Sequence, residues 1–243
     1  VCIGLLSNRF VSSQLDFLLA GRRLGPWVAA FSERASGESA WLILGLPGAA
    51  IAIGYGEIWA VIGITLGIIS SWFLIAEKLR YETEKYDALT VPEYLHKKFN
   101  DSSGIIKLSS AIIIGIFFTF YVSAQFHGSG KILNTIFEID PLYGITLGAF
   151  VIILYTIMGG LLAVAWTDLL QGILMIGTLV ILPVVGLIEL SSLETPLSEL
   201  LMSKDPSKSS LFAGMTGLAA LSVAMGGLSW GLGYFGQPHL LIR

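Results

Sequence analysis

Residues 31–41 read FSERASGESAW and lie between the apolar runs PWVAA and LILGL. Three serines, Glu33, Arg34 and Glu38 fall within this stretch, which is otherwise membrane-like. On a helix, Arg34 and Glu38 stand at i and i+4 and neutralise each other. Ser32, Ser36 and Ser39 share a face by the same spacing. Ser36-Gly37 is nevertheless a poor helix interior, because glycine lacks the side chain that holds the backbone in one well. A helix broken at mid-membrane frees carbonyls that can ligand a hard cation such as sodium. It also exposes a helix N-terminus that can hold a carboxylate. The alternative is a polar kink that packs helices together through small residues.

A second stretch, MGGLSWGLGYFGQPHLL (225–241), carries five glycines, three large aromatics and a Gly-Gln-Pro that stops a straight helix. Trp230 and Tyr234 are i and i+4, so on a helix they form one aromatic face. Flanked by glycines, they make a slot where a small ring can lie against π surface. An interfacial aromatic belt is the other reading.

Both stretches need membrane-spanning elements to hold them. Of 243 residues, 54% are hydrophobic and 13% charged, against about 25% charged in soluble domains. Mean hydropathy is +0.79. Apolar runs of roughly the 20 residues needed to cross the hydrocarbon recur along the chain. They predict a partial span at 1–6 and full spans near 26–50, 57–77, 105–135, 142–163, 168–190 and 212–237. The 105–135 run is too long for one straight crossing, so it tilts or overhangs. Pro47-Gly48, Gly54-Tyr55-Gly56, Asp140-Pro141 and the polar run 191–210 supply the turns. LTVPEYLHKKF (89–99) reads as a short interfacial helix with Pro92 in its first turn. The chain opens in VCIGLL, like the end of a helix whose start is missing, and shows no signal peptide. The single cysteine, Cys2, excludes an internal disulfide framework and a cysteine-rich metal site.

Lysines and arginines near span ends set orientation. With the first loop cytoplasmic, Arg9, Arg22, Arg23, Lys78, Arg80, Lys85, Lys97, Lys98, Lys107 and Arg243 fall inside. Lys131, Lys204 and Lys208 fall outside, and Arg34 lies within a span. The segment 81–104 is then cytoplasmic and the loop 191–210 external. The expected product is a multi-pass, all-α integral membrane protein of the cell (cytoplasmic) membrane.

Several long blocks resemble the sodium/solute symporters, most closely the family's bacterial sodium/proline symporters. They are DFLLAGRRLGPWVAAFSERASGESAWLILGLPGA (16–49), ALTVPEYLHKKF (88–99), FFTFYVSA (117–124), ILYTIMGGLLAVAWTDLLQ (153–171) and WGLGYFGQPH (230–239). Their order and spacing run almost end to end. The resemblance implies a LeuT-like, five-plus-five inverted-repeat fold of ten core helices. It also implies sodium-driven uptake of a small zwitterionic solute, L-proline first, by alternating access. On it, 26–50 is the first core helix and 212–237 the sixth. Residues 1–243 are then the N-terminal part of a single transporter domain: the first repeat and the start of the second.

The same resemblance implies sodium-ligating carbonyls at Ala35 and Glu38, with Ser39 in the same turn. The proline symporters' pattern has an aspartate where this chain has Gly37, which removes a direct carboxylate at that position. Glu38 is one residue, about 100°, further round a helix, so sodium and proton coupling both stay open. For the solute, the resemblance implicates Trp41, Tyr121, Trp230, Tyr234 and Pro238, and Gln237 can donate and accept beside them. For Tyr121 and Trp41 ordinary core packing is the alternative. Arg22 matches a basic position near the inner gate and also serves as a positive-inside anchor. Asp168, after Thr167 at the start of a span, reads as a helix cap first and a gate contact second. His127 and His239 have no His-x3-His spacing or carboxylate partner, so no metal other than sodium, and no cofactor, is expected.

Other function classes have less behind them. No nucleophile elbow, Gly-rich phosphate loop or HExxH appears, so an enzyme is not expected. Basic residues are spread along cytoplasmic rims rather than on one face, which argues against nucleic acid. A membrane sensor built on a symporter-like domain, or a relative carrying another solute, remains the alternative reading. No obligate protein partner is evident, and the lipid bilayer is the expected surroundings.

Overall fold

The computed structural model describes residues 6–7, 9–192, 199 and 205–241. Among these, regular structure is helical. Ser13 caps α1 (Gln14–Leu19) by accepting the Asp16 N–H. A 3₁₀ turn with left-handed Ala20, Gly21 and Arg22 follows. Then come α2 (Pro26–Gly37), a π-helical turn (Trp41–Gly45), α3 (Leu46–Ile53), α4 (Ile58–Ser71), a second π-helical turn (Trp72–Ala76) and α5 (Glu77–Lys85). The chain continues through α6 (Val91–Lys98), α7 (Ile105–Phe137), α8 (Pro141–Ser191), α9 (Gly217–Gly233) and α10 (Pro238–Leu241).

Three continuous helical stretches are long and apolar enough to cross a membrane: Trp41–Lys85, Ile105–Phe137 and Pro141–Ser191. Gly217–Gly233 is a shorter apolar helix. The first and third are long enough for about two crossings each, and glycine breaks each of them. Gly54 adopts φ +70° and ψ −137° between α3 and α4. Gly160 adopts φ +55° and ψ −149° inside α8, a region only glycine tolerates. That break leaves pieces of about 28 Å and about 46 Å, each enough for the roughly 30 Å hydrocarbon layer.

These breaks correct several expected boundaries. The gap expected between 163 and 168 lies at Gly160, so Asp168 is inside a helix, not at its start. Pro47-Gly48, expected as a turn, is instead helical, at the start of α3 directly after the π-helical turn Trp41–Gly45. The span expected at 212–237 contracts to Gly217–Gly233, because residues 211–214 turn with Ala213 and Gly214 left-handed. The partial span at 1–6 falls almost wholly outside the described residues. The short helix expected over 89–99 is present as α6. Thr90 accepts the Glu93 N–H, and the Glu93 carboxylate reaches back to accept the N–H of Leu89, the residue before the cap, at 3.0 Å, a variant of the capping box.

Large apolar side chains face outward and small ones pack inward. In α7 the buried residues are Gly128 and Gly130, while Phe117 and Phe120 are exposed. This inversion suits a lipid solvent, where close backbone approach replaces a greasy core.

The chain divides into two compact units. The first comprises the residues up to Ala40, Leu79–Gly172 and the segment from Pro238; the second comprises Trp41–Lys78 and Ile173–Gln237. In the second unit α4 and α9 form the most extensive helix pair. Gly63 and Gly67 meet Gly227 and Gly231 so closely that a Cβ on Gly67 would lie 2.3 Å from the Gly231 carbonyl oxygen.

Candidate functional site

In the first unit, α2 starts at Pro26 and stops at Gly37. Its closing bond runs from the Glu38 N–H to the Arg34 carbonyl at 3.0 Å. Glu38 then leaves the helix with φ −86° and ψ 100°, and helix resumes from Ala40. The span 26–50 is therefore broken inside FSERASGESAW, next to its glycine. A Cβ on Gly37 would stand 3.0 Å from an Arg34 guanidinium nitrogen, a flexible side-chain tip that can give way.

Ser32 and Ser36, one turn apart, both donate to the Asp168 carboxylate, at 2.7 and 3.2 Å. Ser32 is fully buried and Asp168 nearly so. The expected serine face exists for these two, while Ser39 lies past the helix end. Asp168 is no cap: it accepts from two serine hydroxyls, of which Ser32 is fully buried. Arg34 makes the expected i,i+4 ion pair with Glu38 and gains a second partner. Its guanidinium forks the adjacent Glu33 carboxylate, with Nε donating at 2.7 Å, and stands 3.7 Å from Glu38. A bidentate fork outbids a single longer contact.

Ala40 donates its N–H to the Gln125 side-chain oxygen on α7 at 2.7 Å. Tyr121, one turn earlier on α7, lies with Phe118 around His239, both ring centroids 5.3 Å from the imidazole. Pro238 opens α10 just before that histidine. Arg22 donates to the Thr83 carbonyl at 3.2 Å and the Ala88 carbonyl at 3.0 Å, tying the first loop to the chain after α5. Close by in sequence, hydroxyls of Ser13 and Ser12 hold the Asp16 carboxyl down at about 2, and Arg23 bonds it at 2.8 Å.

In the second unit, the Trp41 and Trp230 rings stack, with centroids 4.7 Å apart and planes 27° from parallel. Trp41 folds back along its own turn over Gly45, where a Cβ would come within 2.3 Å of the indole. Tyr234 is buried at the C-terminal cap of α9. The chain tightens there through bonds from Tyr234, Phe235 and Gly236 to carbonyls three residues back. Gln237 follows this turn. Two indole faces are thus used on each other.

Of the residues singled out in the sequence, Arg22, Ala35, Glu38, Ser39, Tyr121, Asp168 and Pro238 lie in the first unit. Trp41, Trp230, Tyr234 and Gln237 lie in the second. Sequence reasoning missed Glu33 as the arginine's partner, and it missed Gln125. A carboxamide inside an apolar span was the available signal for the second. Among the described residues no three of His, Cys, Asp and Glu gather in metal-binding range.

The profile of the sodium:solute symporter family matches residues 17–243. This chain belongs to the sodium:solute symporter family. As a member, it is 39% identical over 242 residues to the high-affinity proline transporter PutP of Bacillus subtilis, covering 99% of this chain and 50% of that protein. It is 39% identical over 229 residues to sodium/proline symporter 2 of Staphylococcus saprophyticus, covering 94% and 44%. To the sodium/proline symporter of Staphylococcus aureus it is 38% identical over 245 residues, covering 100% and 47%. The chain spans about half the length of these curated relatives. No solved structure matches it. Family and long apolar helices together make it a multi-pass integral membrane protein of a transporter family, not of an enzyme family.

Proposed function

We propose that residues 1–243 form the N-terminal part of a sodium-coupled symporter that takes up a small zwitterion, L-proline first, by alternating access through a LeuT-like inverted-repeat fold. The observation that carries this is the mid-span break of α2 at Gly37–Glu38, in a chain 39% identical to a proline transporter across 99% of its length. Carbonyls of a helix's last turn have no in-helix donor, so those of Ala35 and Glu38, with the Ser39 hydroxyl, suit a sodium ion. Trp41, Tyr121, Trp230, Tyr234, Gln237 and Pro238 suit a zwitterion with an apolar ring, aromatics for the ring and polar groups for the charges. Arg22 and Asp168, each holding separate segments together, suit gate contacts. A second reading, proton coupling through Glu38, is favoured by one observation: Glu38 stands at the helix break, with the shorter bonds of Arg34 going to Glu33 and only a longer 3.7 Å ion pair to Glu38.

The test is proline uptake by the protein expressed from its complete gene, with sodium replaced by choline at fixed membrane potential and two proton gradients. Uptake is expected to collapse without sodium; uptake that persists and follows the proton gradient moves the reading to Glu38. Tyr234→Ala removes a proposed aromatic wall worth about 0.5–1.5 kcal/mol beyond lost area. Proline affinity in sodium should therefore weaken roughly threefold to twelvefold. Equal affinities remove Tyr234 from the site, and no binding by the unsubstituted protein removes proline.

A further inference from the structure

Where α2 is broken, the backbone must find new partners. The chain leaves the helix at Glu38 and is helical again from Ala40. The first amides of a restarting helix have no acceptor in their own helix, and the bilayer interior offers no water in their place. At this break the Ala40 N–H is met by Gln125 Oε1 at 2.7 Å, from 85 residues away in sequence. A backbone N–H can only donate, which fixes the carboxamide with its oxygen toward Ala40.

Gln125 sits in the apolar run FFTFYVSAQF of α7, where a carboxamide is costly unless it is bonded. The bond to Ala40 accounts for its presence. It also fixes a point on the backbone immediately after Ala35–Ser39, so the carbonyl directions of that short irregular segment are held from its far end. On α7, Tyr121 lies one turn before Gln125 and on the same face.

We propose that Gln125 is a positioning residue for the ion site: by capping Ala40 it holds the Ala35–Ser39 oxygens in ligating geometry. This rests on the sodium-symport reading above. Gln125→Met keeps the length of the side chain and removes the strong acceptor. Gln125→Glu keeps an acceptor oxygen. Gln125→Asn withdraws the acceptor by one methylene while staying polar, and serves if the methionine variant does not fold.

Three measurements on the protein expressed from its complete gene test this. In Gln125→Met the sodium concentration for half-maximal uptake should rise roughly three- to thirtyfold, the range of a lost helix cap. The maximal rate at saturating sodium should stay within about twofold, and Gln125→Glu should restore most of the sodium affinity. Hydrogen exchange in the peptide covering residues 38–46 should speed up in Gln125→Met and Gln125→Asn and stay slow in Gln125→Glu. Unchanged exchange overturns the cap. Faster exchange with unchanged sodium affinity, or a fall in maximal rate alone, overturns the positioning role. Sodium-independent uptake by the unsubstituted protein overturns the symport reading and this role with it, and is recognised before any substitution is made.

Discussion

At the scale of single residues, Asp101 shows how a carboxylate sets a helix start outside the membrane. It accepts the Ser103 hydroxyl at 2.6 Å, the Ile106 N–H at 2.8 Å and a contact from His96 Nδ1 at 3.5 Å. These donors, the Ser103 hydroxyl foremost, hold its carboxyl down to about 2. Because the folded value lies below the unfolded one, near 3.9, the contribution is complete above about pH 4. It is lost as pH falls toward 2. The start of α7 should therefore loosen between about pH 4 and pH 2, read as hydrogen exchange at residues 104–108 corrected for intrinsic rates. Asp101→Asn should be loose throughout and flat across that window; a wild-type profile with no step there refutes the assignment. The residues that escaped the sequence do so for a related reason. Gln125 bonds a backbone amide, and such a bond leaves no second side chain to pair it with. Arg34 takes Glu33 as well as its i+4 partner because a long guanidinium can fork a neighbouring carboxylate.

At the scale of elements, the α4–α9 pair turns on glycine rather than on large side chains. A Cβ on Gly231 would lie 2.3 Å from the Gly63 carbonyl oxygen, and one on Gly227 would lie 2.5 Å from Trp59 Cβ. Gly226, one residue away, has open space where its Cβ would go. Gly231→Leu should therefore abolish a monodisperse folded protein in detergent, since backbone cannot yield as a flexible side-chain tip can. Gly226→Ala should match the wild type or melt slightly higher, because alanine is the better helix former. Size-exclusion profiles and thermal melting of both variants decide it; equal behaviour would mean that the seam is looser than its distances imply. The sequence marked both helices by hydropathy. It did not mark their pairing, because glycine pairs four apart occur wherever small residues suit lipid or a neighbouring helix.

At the scale of the whole molecule, orientation follows from charge. Arg22 and the basic residues of 81–104 should be cytoplasmic, and the 191–210 loop external, with about six full crossings. Single cysteines labelled from either side of intact cells check this. Position 204, which lies outside the described residues, should react from outside, and labelling there only from inside would falsify the orientation.

Hydropathy over some 20 residues is a local quantity, so the rough place of the long apolar helices was legible in the sequence. The weakness of α2 near Gly37 was legible for the same reason: Ser-Gly disfavours helix whatever surrounds it. Family membership was legible because long blocks recur in order. The exact breaks were not, since glycine permits a turn without requiring one, and Gly160 breaks where its backbone meets the Phe17 carbonyl oxygen, 2.4 Å from where a Cβ would stand. Nor could the sequence say that Asp168 gathers Ser32 and Ser36, that Trp41 stacks on Trp230, or that Gln125 caps Ala40. Those contacts join residues far apart in the chain, and only packing decides which of many apolar and hydroxyl-bearing faces meet.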